Sequence, residues 1–543
     1  MVISPQMLWA EHDRTLLPLD VSEIASVTAE NGVEKHLYFN GEATPAGCTR
    51  IYARLFVPTE KTNKLVIIML DPDSDISKAD ISEYTGEGKA LLIVDYAGNV
   101  ADRMRFTIYP PPLSFANYSA ENLYKKTESP QKSCHYVWTE ICLRAITFAQ
   151  SEGYEKVALV GVGRGGAPVL RSAAICDYPS CAASFFSPGF FPPADDPELM
   201  EISVSLDVTG YSQILKVPFL HQCCSNDTDS SLDAISELSN KSADKDILYI
   251  SKRSSGKCEK NILNIVPRAT RIFTKETIEN LKMFLNLYLG DENSCEIKDN
   301  LAPPLNLSIS GGEKRMYFSV KCAVKLKEAQ LYVSHGVTNP AYRNWRAVSL
   351  EKAGEDEYIG YTEVYSLDKP IYSFVSATTQ EGFTYSTQVI KKLPSSLDIT
   401  PTTIVKRRLI YDSDMGTDDF FTEGDGEPLI KKGPFSISGI CAQNGLFTYK
   451  LGDVAFSGGP DVNLQFLLFS PTPQEITFSF TDSDRFLTYS CKKYVTPDTD
   501  WTKVMISPSE LRSSEGTFTG WNNVILLKID APNEIIISSI LWV

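Results

Sequence analysis

Basic residues are the minority charge in this sequence. Its 543 residues carry 52 Lys and Arg against 68 Asp and Glu, which gives a net charge of −16. Nucleic acids and anionic membrane surfaces both select basic faces, so neither is expected as a main partner. Apolar runs are short as well, and none approaches the roughly 18 residues that span a bilayer. The opening residues lack a basic segment followed by an apolar stretch, so no signal peptide is predicted.

Paired-cysteine motifs are also missing. The twelve cysteines form no C-x-x-C pair and never stand with histidine at zinc-finger spacing, so no structural zinc site is expected. Their scatter, with Cys142 inside a predicted helix and Cys223 and Cys224 closing a predicted strand, is typical of reduced thiols. We therefore expect a cytoplasmic protein.

The patterns that are present divide the chain into three parts. Residues 1–293 alternate strand-like and helix-like segments, which predicts an α/β-hydrolase-like domain with a mainly parallel sheet. Residues 294–396 begin with a polar segment that ends in prolines and continue as short strands at β-sandwich spacing. Residues 397–543 contain enough further strand-like runs for a two-sheet jelly roll. The expected architecture is one α/β domain followed by two all-β domains.

Continuous apolar runs supply the strands of the first part. KLVIIML (64–70) and ALLIVDY (90–96) have no polar face, as expected for parallel strands that are covered on both sides. Residues 133–150 and 274–289 carry apolar stripes at helical spacing and predict amphipathic helices. Further strands are expected at 49–58, 157–160, 181–186, 217–224 and 246–251.

A glycine-dense turn stands in the stretch KVALVGVGRGGAPVLRSAAI (156–175). Gly161, Gly163 and Gly166 spell G-x-G-x-x-G, the dinucleotide fingerprint. That fingerprint should open the first βαβ unit, and an acidic residue should end the next strand about 20 residues later. Several strands precede this turn, and the next strand runs into Ser187 and Pro188, so the cofactor interpretation is disfavoured.

The same turn frames the G-x-S-x-G elbow of an α/β-hydrolase, with Gly163 in the position of the serine. An elbow requires a strand, a sharp turn and a helix in the middle of a sheet, and an acid after a later strand. Asp227 follows the predicted strand at 217–224 and supplies that acid.

On these residues, the region 30–290 resembles α/β-hydrolases, in particular carbohydrate esterases of the acetyl xylan and glucuronoyl esterase kind. Arg164, which follows Gly163, is similar to the arginine that follows the serine in glucuronoyl esterases. The resemblance implies an α/β-hydrolase fold and a site for a carbohydrate ester or a related sugar.

Two of the three groups that such an esterase needs are absent from their places. Gly163 has no side chain to act as nucleophile. None of the five histidines lies in 251–271, where the general base is expected. Losing either group alone removes most turnover. Gly163, Arg164 and Asp227 are therefore interpreted as a vestigial elbow and acid.

Three residues have alternative roles. Cys258, in the expected histidine loop, is either a displaced nucleophile or an ordinary thiol. Arg164 could hold a carboxylate or phosphate near a helix N-terminus, or it could form a surface salt bridge. Asp227 is either the vestigial acid or, as we favour, the cap of a helix at 230–238.

The last part of the chain contains tryptophans at loop–strand junctions. Trp521 is followed by Asn522, and Trp501 lies in PDTDWTKV. A flat ring beside polar groups is what a saccharide platform requires, while core packing is the alternative. With its strand count, this part resembles a carbohydrate-binding jelly roll. Four aspartates offer the hard oxygen ligands that calcium prefers, at spacings unlike an EF-hand: Asp412, Asp414, Asp418 and Asp530.

Three functions follow from these patterns. The first is a non-catalytic, carbohydrate-esterase-like protein that binds a glycan or an acyl sugar without a cofactor. The second is an active carbohydrate esterase or other hydrolase with a non-standard site. The third is a multidomain scaffold for protein contacts.

Overall fold

The computed structural model describes most of the chain. The residues described are 3–29, 31–76, 79, 88–99, 104–186, 190–191, 196–241, 261–290, 301–422, 427–442, 445–497 and 499–543. Within these ranges, every helix is too short or too polar to cross a membrane. The ten cysteines in these ranges are all unpaired thiols.

A nine-stranded sheet organises the described residues of the N-terminal half. In chain order its strands are β1 (Ser22–Ala29), β2 (Gly32–Thr44), β3 (Gly47–Pro58), β4 (Lys64–Met69), β5 (Ala90–Val94), β6 (Lys156–Val162), β7 (Cys181–Phe185), β8 (Phe219–Cys224) and β9 (Asn261–Val266). Their order across the sheet is β1-β2-β3-β5-β4-β6-β7-β8-β9. The pairings from β1 to β5 through β3 are antiparallel, and those from β5 to β9 are parallel. The mainly parallel sheet predicted for this half is confirmed.

Helices pack on both faces of this sheet. They are α1 (Pro5–Leu8), α2 (Cys134–Ser151), α3 (Gly166–Ile175), α4 (Pro197–Leu206), α5 (Val208–Ser212), α6 (Leu232–Lys241) and α7 (Lys275–Leu289). The helices predicted at 133–150 and 274–289 are confirmed as α2 and α7. Each starts at a hydroxyl cap, because Ser133 Oγ accepts the His135 N–H at 3.3 Å and Thr274 Oγ1 accepts the Thr277 N–H at 3.2 Å.

The unbroken apolar run of β4 is explained by its position between two helix layers. Leu65 and Ile67 lie in the hydrophobic cluster that contains Val137 of α2. Val66 and Ile68 lie in the cluster that contains Phe284 of α7. Because side chains of a strand alternate between faces, a strand covered on both sides has no position for a polar residue.

The last strand of the sheet differs from the sequence prediction. The strand expected at 246–251 lies outside the described residues. The sheet instead ends with β9, Asn261–Val266, which pairs in parallel with β8. The loop that follows the last strand therefore starts at Pro267, later than the sequence pattern indicated.

The described part of the C-terminal half is built on antiparallel sheets. Its first strands are β10 (Leu305–Gly311), β11 (Arg315–Cys322), β12 (Glu328–His335), β13 (Arg346–Val348), β14 (Glu351–Lys352), β15 (Glu357–Glu363), β16 (Ile371–Thr378), β17 (Thr384–Ser386) and β18 (Ile390–Lys392). They form the sheets β10-β11-β15-β14 and β13-β12-β16-β17, with β18 pairing β16. Phe318 of β11 and Val333 of β12 share one core, so side chains from both sheets meet.

The remaining strands form a second pair of sheets. They are β19 (Leu409–Asp412), β20 (Phe421–Thr422), β21 (Leu429–Lys432), β22 (Ser438–Ala442), β23 (Leu446–Thr448), β24 (Leu464–Phe469), β25 (Gln474–Asp482), β26 (Thr488–Val495), β27 (Thr502–Ile506), β28 (Val524–Asp530) and β29 (Ile535–Trp542). Their orders are β21-β22-β29-β24-β27, with β19 on β29, and β20-β23-β28-β25-β26. Two all-β regions are thus present, while the sandwich and jelly-roll connectivities and the boundaries at 293/294 and 396/397 stay predictions.

Buried polar contacts join the first all-β region to the α/β half. Asn226, just after β8, donates to the carbonyl of Arg343 at 2.8 Å. The Arg343 guanidinium is fully buried and forms a bidentate pair with Asp233 of α6, at 2.5 and 2.6 Å. Ile235 of α6 and Trp345 share a hydrophobic cluster at the same junction. These contacts fix loops of the β region above the carboxyl end of the parallel sheet.

We expect the substitution Asp233→Ala to lower the free energy of unfolding by about 3 kcal/mol, because it leaves the buried Arg343 charge without its counter-ion. The matched control is Glu279→Ala on α7, whose exposed pair with Lys282 should contribute less than about 0.5 kcal/mol. Urea denaturation measures both changes. Equal losses for the two variants would contradict a structural role for the buried pair.

Candidate functional site

The glycine turn adopts the geometry of a strand–turn–helix elbow. β6 ends at Val162, Gly163–Gly165 form one 3-10 turn, and α3 begins at Gly166. Gly163 has a φ of +56°, in the left-handed region that favours glycine. A Cβ on Gly165 would lie 2.0 Å from the carbonyl oxygen of Met69, so the turn packs directly on the end of β4. The sharp turn expected of an elbow is present.

The sheet order places the other expected positions at the same edge. β6 lies between β4 and β7, and the loops after β4, β8 and β9 all leave from the carboxyl ends of parallel strands. Asp71 follows β4, Asp227 follows β8 and Arg271 follows β9. In an α/β-hydrolase the elbow residue, an acid and a histidine follow each other in this chain order. Here the three places hold Gly163, Asp227 and Arg271.

The Asp71 carboxylate lies directly against the backbone of the elbow at Gly163 and Arg164. Its Oδ2 accepts the backbone N–H of Arg164 at 3.2 Å and a guanidinium N–H of Arg271 at 2.7 Å. The N–H of the residue after the nucleophile is one of the two that α/β-hydrolases use to bind the oxyanion. In this protein that donor is already bonded to an internal carboxylate, whose side chain is 14% exposed.

This ion pair also fills the space of an elbow side chain. A Cβ on Gly163 would lie 2.1 Å from Asp71 Oδ2 and 2.0 Å from Arg271 Nη2. Both distances are far below any contact that real Cβ atoms make. The elbow position therefore offers neither a hydroxyl nor room for one in this arrangement.

Arg271 takes the place where a general base is expected. Besides Asp71, it pairs with Asp229 at 3.1 Å and lies over the Phe186 ring at 5.9 Å. Burial opposes its charge, but the acidic neighbours Asp71, Asp227 and Asp229 together outweigh burial and raise the pKa of Arg271. Sequence reasoning missed this residue because it placed the last strand too early. The apolar run NILNIV before Pro267 was the signal that would have located the loop.

Arg164 forms salt bridges with two carboxylates. Its guanidinium lies 3.7 Å from Asp71 and 4.0 Å from Asp73, and it stands over the Tyr118 ring at 5.7 Å. These contacts are the ones that the salt-bridge interpretation of Arg164 describes, and its role toward a ligand stays a prediction. A phosphate at the start of α3 would meet the Asp71 carboxylate, which also argues against the dinucleotide interpretation.

Asp227 does not cap the following helix. α6 begins at Leu232, and its first turn is capped by Ser231, whose Oγ accepts the Ala234 N–H at 3.4 Å. Asp227 instead accepts the Asp229 N–H at 2.9 Å within its own turn. Burial raises its pKa. The predicted cap was wrong because the helix starts two residues later than its pattern indicated. Cys258 lies outside the described residues.

A cavity of about 650 Å³ opens above the elbow. The α/β half contributes Tyr124, Phe191 and Arg271, while Asn339 and Phe486 come from the all-β regions. Tyr124 and Phe486 are 43% and 40% exposed, so ring surface is available to a ligand.

His135 adds a buried acceptor to the wall of this cavity. Its Nε2 donates to the carbonyl of Leu123 at 2.8 Å, which leaves Nδ1 unprotonated and without a protein partner. Burial lowers the pKa of His135 to about 3, so the ring is neutral at ordinary pH.

Trp521 is a core residue, contrary to its expected role as a saccharide platform. Its side chain is 0% exposed, and Nε1 donates to the carbonyl of Val462 at 2.7 Å. The indole packs between Phe480, Phe518 and Trp542 at ring distances of 5.0 to 5.1 Å. No face of the ring is open to a sugar.

The other C-terminal candidates are scattered. Trp501 is half-buried, and its Nε1 donates to the carbonyl of Pro434 at 3.2 Å. Asn522 is exposed and accepts a hydrogen bond from Lys406 at 3.3 Å. Trp501 and Asn522 do not line the cavity above the elbow.

The four aspartates considered for calcium do not form one site. Asp412 accepts the backbone N–H of Asp414 at 3.0 Å. Asp418 and Asp530 each pair with a basic side chain, at 3.7 and 3.1 Å. Among the described residues, no group of three or more His, Cys, Asp or Glu is arranged to hold a metal ion.

Known proteins resemble this chain in structure over about half of its length. No protein-family model matches the sequence, and no curated protein matches it significantly. Acetyl xylan esterase 1 from Thermoanaerobacterium sp. is similar with a TM-score of 0.38 and 15% identity, over 51% of this chain and 90% of that chain. An acetyl xylan esterase from Paenibacillus sp. R4 gives 0.35 and 14%, over 51% and 90%. Est1E from Butyrivibrio proteoclasticus, with ferulic acid bound, gives 0.32 and 14%, over 45% and 97%.

The fold class rests on the sheet itself. The order β2-β3-β5-β4-β6-β7-β8-β9, the antiparallel β3 and the elbow after β6 together define an α/β-hydrolase-like half.

A non-glycine residue in the left-handed region costs about 1–3 kcal/mol. We expect Gly163→Ala to lower the free energy of unfolding by more than this, because the new methyl group collides with the Asp71–Arg271 pair. Gly153→Ala is the matched control, since Gly153 has a φ of +81° and open space around a Cβ. Urea denaturation compares the two. In addition, Asp71→Ala should cost less in the Gly163→Ala background than in the wild type. Equal losses for Gly163→Ala and Gly153→Ala would contradict the close contact.

Proposed function

We propose that this chain is a non-catalytic relative of α/β-hydrolase esterases that binds a saccharide or an acylated sugar in the cavity above the elbow. The observation that carries the proposal is the Asp71–Arg271 ion pair, which stands where the elbow side chain would be. The binding role rests on the aromatic cavity that opens directly above this pair.

The lack of catalysis follows from what an ester hydrolase must supply. Acyl transfer needs a nucleophile, a base near neutral pKa and a free oxyanion donor. Gly163 supplies no nucleophile. Arg271 stays protonated and cannot act as a base. The Arg164 N–H is already bonded to Asp71.

A neutral, amphipathic ligand suits the cavity. Its two arginines are each paired with carboxylates, so their charges are compensated within the protein. Tyr124 and Phe486 offer exposed rings for the C–H face of a pyranose. Phe191 adds apolar surface for an acyl group. Neither a cofactor nor a metal is required, and a cytoplasmic location stays part of the proposal.

The absence of esterase activity is the first testable consequence. Acetylated xylo-oligosaccharides and nitrophenyl acetate should be hydrolysed no faster than in buffer, and a serine-directed fluorophosphonate should not label the protein. The comparison variant is Arg271→Ala, because any hydrolysis catalysed at this site should change when Arg271 is removed. Hydrolysis well above background that falls in Arg271→Ala would instead establish an active hydrolase with a non-standard site.

Saccharide binding is the second consequence. A glycan array on the intact chain identifies a ligand, and calorimetric titration then compares Tyr124→Ala and Phe486→Ala with the wild type. Each loss of an aromatic face should weaken binding about tenfold. Tyr494→Ala is the control, because Tyr494 is 69% exposed and lies away from the cavity lining. If the folded protein binds no glycan on the array, the saccharide proposal fails and the scaffold interpretation is favoured.

A further inference from the structure

A second cavity, of about 560 Å³, lies between the N-terminal segment, β2 and α2. It shares no lining residue with the cavity above the elbow. Glu42 of β2, Glu140 of α2 and His12 of the N-terminal segment all line it. Nothing in the proposed function uses these residues.

Polar atoms in this cavity lack protein partners. Glu140 is 4% exposed, yet its Oε2 accepts no hydrogen bond. Glu42 Oε2 and His12 Nε2 are likewise buried and unpartnered. Buried polar atoms are bonded in the great majority of cases, and an unsatisfied carboxylate oxygen is costly. Two carboxyl oxygens and one imidazole nitrogen of the residues that line one cavity thus lack a hydrogen-bond partner among the described residues.

The two arginines beside the cavity do not supply that donor. Arg144 donates to the carbonyls of Asn40 at 2.8 Å and Arg14 at 2.7 Å. Arg14 donates to Thr147 and Gln150, both at 2.9 Å. Both guanidinium groups are thus used to tie the N-terminal segment to α2, and neither donates to Glu42 Oε2 or Glu140 Oε2.

We propose that this cavity binds a small organic cation, with N–H groups that donate to Glu42 and Glu140. A primary ammonium or guanidinium group supplies both the charge and the several donors that the unpartnered oxygens need. A metal ion is disfavoured, because the described residues hold no group of three ligating side chains. The ring of Tyr136, stacked on Trp9 at 4.4 Å, provides a flat wall for the cation.

Cation binding should be coupled to proton release. Burial, reinforced by Glu42, raises the pKa of Glu140 to about 8, so the free protein holds a proton there at pH 7. The charged and titratable groups that interact with the Glu42–Glu140 pair are Lys132, Arg144 and Tyr136. The cavity is also lined by Glu11, His12, Asp13 and Arg14. A bound cation favours the ionised carboxylate and expels the proton.

Calorimetric titration of the full chain with putrescine and agmatine tests the proposal, with 1,4-butanediol as the uncharged probe. We expect both cations to bind and the diol not to bind. Glu140→Gln and the less buried Glu42→Gln should each weaken binding about tenfold or more. The exposed Glu121→Gln is the matched control and should bind like the wild type. Titrations in buffers of different ionisation enthalpy should show release of about one proton at pH 7 and almost none at pH 9.5.

Thermal melting confirms that each variant is folded before titration. Binding of the diol as tightly as the cations, or equal cation binding by wild type, Glu42→Gln and Glu140→Gln, would overturn the proposal. No cation binding by the folded wild type, together with a rise in melting temperature in Glu140→Gln, would assign the two carboxyl groups to a shared proton and would also overturn it.

Discussion

The ion pair between Asp71 and Arg271 determines the character of the site. Its two residues follow β4 and β9, strands that are separated in the sheet by β6, β7 and β8. The pair therefore spans the carboxyl edge of the parallel sheet. Its 2.7 Å contact between Asp71 Oδ2 and Arg271 Nη2 connects the loop after β4 with the loop after β9. Because Asp71 also bonds the Arg164 amide, the elbow, the oxyanion donor and the loop after the last strand are held in one network. The proposed loss of catalysis rests on this network, because ester hydrolysis would need each of these groups to be free.

The cavity above this network depends on packing between the halves of the chain. Arg268, from the loop after β9, donates to the carbonyl of Trp345 at 2.7 Å. Arg346 in turn pairs at 3.1 Å with Asp453, which is almost fully buried. These contacts run from the sheet through the first all-β region to the second, and they bring Phe486 to the cavity. The all-β regions thus act as walls of the site, which gives them a role besides that of separate modules.

Sequence patterns predicted the parts of the site that local structure determines. The elbow at Gly163 and the acid at Asp227 follow from strand, turn and helix signals that are contained within short stretches. Arg271 was missed, since its role depends on which apolar run becomes the last strand, and β9 is chosen by its pairing with β8. Asp71 carries no signal of its own either, because an acid after a strand is common and only the fold brings it to Gly163.

The burial of Trp521 is a second feature that the local sequence did not predict. Glycine before it and asparagines after it are typical of an exposed loop, but Gly458 lies against the indole and leaves room for it in the core. A Cβ on Gly458 would lie 2.6 Å from Trp521 Cβ. Burial of a large side chain is decided by such distant neighbours, which no local pattern contains.

The central claim is that the Asp71–Arg271 ion pair stabilises the elbow region. A double-mutant cycle on Asp71→Ala and Arg271→Ala, followed by urea denaturation, tests this claim most directly. A coupling energy of about 1–3 kcal/mol is predicted, as for residues within one hydrogen-bond network. The reference is the pair Glu23–Lys35, which is 2.9 Å apart with both side chains well exposed and should give less than about 0.5 kcal/mol. A coupling between Asp71 and Arg271 no larger than that of the exposed pair would contradict the account.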